Sequence, residues 1–468
     1  MIRFLLINMF LISSLIAGGS SGDHGVDGSH LNLLYIIPFV GILLSIAVIP
    51  LIAANFWHHN FGKISLFWAL LFILPFTFNY SFSLALYEVL HVILLEYIPF
   101  IVLLLSLYTV GGGINVKGNL VATPALNFSI LLIGTILSSW MGTTGSAMLL
   151  IRPIIRANRW RNNKTHVIIF FIFLVANVGG SLTPLGDPPL FLGFLQGVSF
   201  FWTTRALFVP MIIVSILLLI IFYFIDSYYF NKEIDKKPSD GTFKLSIDGK
   251  INFVLLLGII SGVLLSGFWD PHKNYTLFGI HLELQNLMRD FILVVITLLS
   301  LKFTAKKIRD SNGFTWFPIV EVAKLFSGIF ITIIPAIAIL KAGKEGSLSV
   351  IVNLVTDSDT GLPINSMYFW LTGILSSFLD NAPTYLVFFN TAGGSAQELM
   401  TTYSTTLLAI SCGAVFMGAM TYIGNAPNFM VKSIAEENDI DMPSFFGYMV
   451  WSVIILVPIF FIVSFIYF

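Results

Sequence analysis

The sequence is short of several things that would mark a soluble enzyme. Only one of its 468 residues, Cys412, is a cysteine, so no disulfide can form within the chain and no site built on cysteine ligands is expected. Charge is scarce too: Asp, Glu, Lys and Arg together make 10% of the chain, and the formal net charge is zero. So little charge leaves no room for a large soluble domain. No basic block is long enough to track phosphates, so nucleic acid is not expected as a partner. The eight histidines are scattered, and the closest pair, His58 and His59, is expected in a loop without nearby carboxylates. A resident metal is therefore not expected. HExxH, Gly-x-Ser-x-Gly and phosphate-loop signatures are missing, which leaves little support for an enzyme or for a cofactor.

What the chain does have is apolar residues. They make 57% of it, and the mean hydropathy is +0.91, the composition of an all-α polytopic membrane protein whose main partner is the lipid bilayer. Met1 to Ala17 reads as a signal peptide, with Arg3, an apolar run and then small residues, which puts a leader at 1–18. The alternative is an uncleaved first helix. Either way residues 19–30 would lie outside the cytoplasm.

The chain is organised around Asn177 to Leu190, NVGGSLTPLGDPPL, where an apolar helix breaks into glycine, proline and one aspartate. Unpaired backbone in hydrocarbon is costly, so such a break survives only where it lines a protein-enclosed cavity. A second copy lies at Phe416 to Asn428, FMGAMTYIGNAPN. Thr183 and Thr421, Gly186 and Gly424, and Pro189 and Pro427 share one offset (424 − 186 = 238). Leu137 to Ser146, LSSWMGTTGS, aligns at the same offset with Leu375 to Thr384, LSSFLDNAPT. The chain is a duplication, and each half carries two polar breaks.

Spans of suitable length are expected at 31–54, 64–81 and 87–110. A re-entrant hairpin follows at 127–155, with Gly142-Thr143-Thr144-Gly145 at its tip. It ends in Arg152, Arg156, Arg159, Arg161 and Lys164, the densest basic cluster in the chain, which the positive-inside rule places in the cytoplasm. The broken helix is expected at 166–200 and a return span at 205–226. A cytoplasmic linker, 227–250, then holds Lys232, Lys236, Lys237, Lys244 and Lys250. Five crossings make the first repeat, 31–226, so the second, 251–468, would run inverted, as in secondary transporters. Its spans are expected at 251–268, 288–302 and 314–340, its hairpin at 364–390, its broken helix at 402–435 and its last span at 445–467.

Two carboxylates sit at these breaks: Asp187 in the first broken helix and Asp380 at the second hairpin tip, with Asn425 and Gly142 as their repeat-mates. An ionisable residue at membrane depth costs at least about 2.5–3.5 kcal/mol and is by default a functional candidate; the alternative here is helix capping. Helix N-termini favour anions, whereas freed carbonyls with Thr and Asn oxygens suit Na⁺, so both ligand classes remain open on this ground. Glu88, His91 and Glu96 lie on roughly one helical face, and Glu321 and Lys324 are similarly placed in the second half. For these the expectation is interfacial snorkelling or an ion pair between helices, ahead of a proton relay.

At GGSLTPLGDPPL, FLDNAPT and YIGNAPN the sequence resembles the ion transporter superfamily, and within it the NhaD-type sodium/proton antiporters and their citrate-transporter-like relatives. The resemblance covers nearly the whole chain and implies two re-entrant hairpins, two interrupted helices and a homodimer. By position it implies one half-site of Thr143, Thr144, Thr183, Gly186 and Asp187. The other would hold Asp380, Asn381, Thr384, Thr421, Gly424, Asn425 and Asn428. The first tip reads Gly-Thr-Thr-Gly where relatives often carry Ser-Asn-Thr or an Asn/Asp pair. The function implied is exchange of Na⁺ (or Li⁺) for H⁺ in the inner membrane of a bacterial cell, with Asp187 and Asp380 holding the transported Na⁺. The alternative is a symporter of citrate or another small carboxylate, which two aspartates would repel.

Overall fold

A computed structural model describes residues 26–118, 120–233 and 245–468. The expected leader, 1–18, lies outside the described residues, as do Lys236, Lys237 and Lys244 of the linker. Almost everything else is helix. α1 (Ile37–Ile52) and α2 (Ala54–Asn79) precede a long pass made of α3 (Phe82–Val92), a π turn (Ile93–Tyr97) and α4 (Ile98–Gly111). The π turn has a local cause in Pro99, which has no N–H and whose ring meets the carbonyl four residues back, so the helix widens over Leu95.

The first hairpin is α5 (Pro124–Met141) and α6 (Thr143–Ala157). Thr123 caps α5 by accepting the Leu126 N–H at 3.2 Å, with Pro124 at the first helical position, where its missing N–H does no harm. The first broken helix is α7 (Thr165–Leu174), a 3-10 turn (Val178–Leu182) and α8 (Pro188–Leu195), and α9 (Phe200–Lys232) returns. In the second half come α10 (Ile251–Phe268), α11 (Leu284–Phe303), the short α12 (Lys306–Ser311), and α13 (Phe317–Thr332) with α14 (Ile334–Lys341), bent by 41° just before Pro335. After α15 (Ser349–Leu354) stands the second hairpin, α16 (Asn365–Leu379) and α17 (Asn381–Thr391). α18 (Ala396–Met400) leads to the second broken helix, α19 (Ser404–Met417), a 3-10 turn (Gly418–Met420) and α20 (Ala426–Glu436), and α21 (Phe445–Tyr467) closes the chain. Two short antiparallel ribbons, β1 (Asn115–Gly118) with β2 (Leu245–Asp248) and β3 (Asn274–Leu277) with β4 (Ile280–Glu283), join helix ends.

Among the described residues nine helices are long and apolar enough to cross a membrane, or ten with the bent α13–α14 pair taken as one. The chain is an all-α polytopic membrane protein. α7 is apolar all round, and Val167 through Ala176 are each at most 1% exposed, the mark of a helix enclosed by others. α19 is enclosed in the same way from Leu407 through Phe416, apart from Leu408. The outer helices turn large apolar side chains outward, Phe78 and Phe465 among them, as a lipid-facing surface requires. The two broken helices are therefore the centre of the molecule.

Two expectations need correction. The linker drawn at 227–250 is shorter, because α9 runs on to Lys232 and Leu245–Asp248 is strand. A carboxylate in an apolar run suggested the end of the span, but Asp226 is fully buried, paired with Arg161 at 2.6 Å and His166 at 2.8 Å and bonded to the Asn127 amide at 3.0 Å. Neutralised in this way, it does not end the helix. Likewise His58 and His59 are helical rather than in a loop, since α2 starts at Ala54, ten residues before the expected 64. Polar side chains at a helix end reach past the hydrocarbon while the backbone ladder continues.

Candidate functional site

Each hairpin tip is one residue with backbone outside the right-handed regions. Gly142 has φ 80° and ψ 149°; Asp380, 238 positions later, has φ 70° and ψ 138°. Glycine adopts this conformation freely, whereas a side chain there costs on the order of 1–3 kcal/mol. Asp380 is thus an aspartate where the backbone asks for glycine. Its carboxylate also accepts the Ala382 N–H at 3.1 Å, and the Thr384 hydroxyl donates to its carbonyl at 2.8 Å.

The breaks are built alike. The Thr183 hydroxyl donates to the Ser139 carbonyl and the Thr421 hydroxyl to the Ser377 carbonyl. Ser139 Oγ reaches the Gly179 carbonyl at 2.5 Å and Ser377 Oγ the Met417 carbonyl at 3.0 Å. Asp187 and Asn425 share the extended conformation, φ −144° and −153°, that turns the chain into α8 and α20. In the first break Gly186 packs against Gly180 so closely that a Cβ would strike the Gly180 carbonyl. The Gly186 carbonyl in turn accepts the Thr143 N–H at 2.9 Å, which fastens the break to the hairpin tip.

Asp187 stands where all four polar elements meet, 2% exposed. One carboxylate oxygen accepts the Thr143 hydroxyl at 3.2 Å and the Asn425 amide at 2.9 Å; the other accepts the Asn381 amide at 2.5 Å. It occupies the N-cap position of α8 but makes no side-chain cap bond there, whereas Asp380 does cap its helix. The two aspartates thus differ: one reaches across three other elements, the other bonds within its own turn. Asn428 backs the cluster, accepting the Asn177 amide at 2.7 Å and donating to the Gly418 and Thr421 carbonyls at 2.8 and 2.9 Å. Asn425 Nδ2 also approaches the Asn177 side-chain oxygen at 3.3 Å.

Residues from both half-sites inferred from sequence therefore meet at Asp187. Thr143, Asn381 and Asn425 touch Asp187. Asn428 lies behind them, and Asp380 is one residue from Asn381. Thr183, Thr421, Gly186 and Gly424 shape the breaks through backbone bonds, with the Gly424 N–H donating to Thr421 Oγ1 at 3.1 Å. Thr384 binds its own turn, and Thr144 makes no hydrogen bond to Asp187. Three contributors were missed: Asn177, Ser139 and Ser377. Asn177 carried a signal, a single amide after ten apolar residues, but its partner Asn428 is 251 positions away.

The cluster is polar but almost without balancing charge. Among the described residues neither Asp187 nor Asp380 is in an ion pair. Asn381 Oδ1 is buried with no hydrogen-bond partner among the described residues, an acceptor whose isolation costs about 1–3 kcal/mol. Also among the described residues, no group of three or more His, Cys, Asp or Glu could hold a metal. A cation here would have at most two carboxylates and would take its other ligands from amide, hydroxyl and carbonyl oxygens, the hard donors that suit Na⁺. Snorkelling or an ion pair between helices was expected for the other intramembrane charges; among the described residues Glu321 and Lys324 form no ion pair, Glu321 accepting the Trp57 indole N–H at 3.3 Å and Lys324 standing 5.4 Å over the Phe61 ring.

Two hairpins meeting two interrupted helices around a buried carboxylate are the build of a secondary transporter. Residues 28–468 match the family model CitMHS_2, described as "Putative citrate transport". The chain belongs to that family. No curated protein matches it.

Proposed function

We propose that this transporter exchanges Na⁺, or Li⁺, for H⁺ at the Asp187 cluster. The observation that carries the reading is the pairing of Asp187, which no basic side chain among the described residues neutralises, with the orphaned Asn381 Oδ1. Asn and Thr are both donors and acceptors. The side chains that donate to Asp187 as the structure stands can turn their oxygens toward a cation, and a proton on the carboxylate competes with that cation. Occupancy by one or the other in turn is what an exchanger needs.

A second reading, coupled transport of citrate, is favoured by the family match. The site suits it less well. An anion at a helix N-terminus binds to free N–H groups, but α8 opens with Pro188-Pro189, which have none, and α17 and α20 have Pro383 and Pro427 in their first turns. In α6 the first N–H, that of Thr143, is taken by Gly186. Two carboxylates and no paired cation would also repel a tricarboxylate.

The test uses proteoliposomes with an imposed pH gradient. Added Na⁺ or Li⁺ should dissipate the gradient and citrate should not. Gradient-driven uptake of labelled citrate, with no proton flux on adding Na⁺, would move the protein to the second reading. The same proposal includes inverted halves with both chain ends outside, so a carboxyl-terminal tag should be reached by a reagent that does not cross the inner membrane of bacterial cells.

A further inference from the structure

We propose that Glu96, on the π turn between α3 and α4, is a second proton-carrying station between the Asp187 cluster and the face that carries Val26 and the β3–β4 ribbon. The loop charges put that face outside. The inference rests on the exchange reading above.

Glu96 is placed there by backbone, since the widening that Pro99 forces re-aims the side chains of that turn. One of its oxygens accepts the Gln196 amide at 3.2 Å; the other is buried with no hydrogen-bond partner among the described residues. A proton can enter on that free oxygen, giving the acid, and leave by the same oxygen, with no other bond changed. Gln196 ends the half-helix that Asp187 begins, nine positions or about 13 Å along α8. Between them the Tyr385 hydroxyl lies against Gly193, so closely that a Cβ there would strike it, and Tyr385 itself sits one turn along α17 from Asn381. The Tyr385 hydroxyl and the Gln196 amide therefore stand between the cluster and Glu96.

Beyond Glu96 the same helical face carries His91 and Glu88, and Glu88 accepts the Val26 N–H at 3.1 Å. The charge of Lys341, at the end of α14, acts on all three. On α13, which also packs on this turn, Glu321 is bonded to Trp57 and Lys324 is over Phe61. That leaves Gln196 and Lys341 as the groups that set the behaviour of Glu96.

The experiment compares wild type, Glu96→Gln and Glu96→Asp in vesicles of one orientation, varying pH on the outer side only. Na⁺-induced thermal stabilisation of the detergent-solubilised protein is measured alongside. Glu96→Gln should keep the Na⁺-induced shift, exchange at least tenfold more slowly and lose its dependence on outer pH, and Glu96→Asp should restore most of both. Should Glu96→Gln fail to insert, Gln196→Leu takes its place and should displace the outer-pH profile without abolishing the Na⁺ shift. A Glu96→Gln protein with the wild-type rate and profile overturns the proposal. So does one slowed by the same factor at every outer pH and not rescued by Glu96→Asp, since that is a packing defect. A wild type that moves no protons in response to Na⁺ would show instead that the exchange reading itself is wrong.

Discussion

Replacing Asp380 with glycine separates its carboxylate from its backbone role. At φ 70° the side chain costs on the order of 1–3 kcal/mol, which glycine relieves. Against this stand the lost cap bond to the Ala382 N–H, about 0.5–2 kcal/mol, and the greater freedom of glycine in the unfolded chain, about 0.5–1 kcal/mol. The terms nearly cancel, so Asp380→Gly should melt within a few degrees of wild type. Asp380→Ala keeps the strain and loses the cap, and should melt lower than Asp380→Gly. If the Asp380 carboxylate takes part in exchange, both variants should be inactive in proteoliposomes despite their different melting. Fluorescence-detected melting in detergent and dye-reported proton flux give the two readouts. Normal exchange by Asp380→Gly would show the carboxylate to be only a cap. Melting of Asp380→Gly well below Asp380→Ala would refute the strain argument itself.

Asp187→Asn keeps the size and an acceptor oxygen but cannot titrate, so it should insert like wild type and lose proton-coupled Na⁺ exchange. Asn425→Ala removes one neutral ligand worth about 1–2 kcal/mol and should weaken apparent Na⁺ affinity about tenfold in the same flux assay. Asp226→Asn leaves Arg161 buried without its counter-charge and should lower stability by about 3–5 kcal/mol, read as a large fall in melting temperature and yield. At the C-terminal end of α9, burial works against the charged form of Glu233. The Asn163 and Asn162 N–H groups and the Arg161 charge outweigh that and hold its carboxyl below the usual range. A depressed value stabilises the fold above the ordinary carboxylate range, and that stability is lost as pH falls through the folded value. The melting difference between wild type and Glu233→Gln should therefore be present at neutral pH and vanish in acid.

Much of the candidate site could be named from the sequence because its signals are local. Glycine, proline and aspartate inside an apolar run mark broken helices wherever they occur, and the repeat at 238 positions tied the motifs into two sets. What was misread involved groups satisfied from far away. Asp226 looked like the end of a span because Arg161 and His166 come from other elements. Asn177 does open the first break, as its motif suggested, but its amide also bonds to Asn428 in the other, which no local signal shows. Glu321 and Lys324 were expected to snorkel or to pair between helices, and each has an aromatic partner from another helix.

The membrane class, the duplication and the places where helices break follow from composition and spacing alone, since hydrocarbon tolerates so few alternatives in backbone and charge. Which of the two aspartates stands at the centre does not. Asp187 and Asp380 are similar in local sequence, each opening a short helix with proline in its first turn. Only the packing of both hairpins against both breaks turns Asp187 toward Thr143, Asn381 and Asn425 and leaves Asp380 bonded to its own turn. Those partners lie 44, 194 and 238 positions from Asp187. Hydrogen bonds depend on distance and angle in space, and at such separations only the tertiary fold sets either.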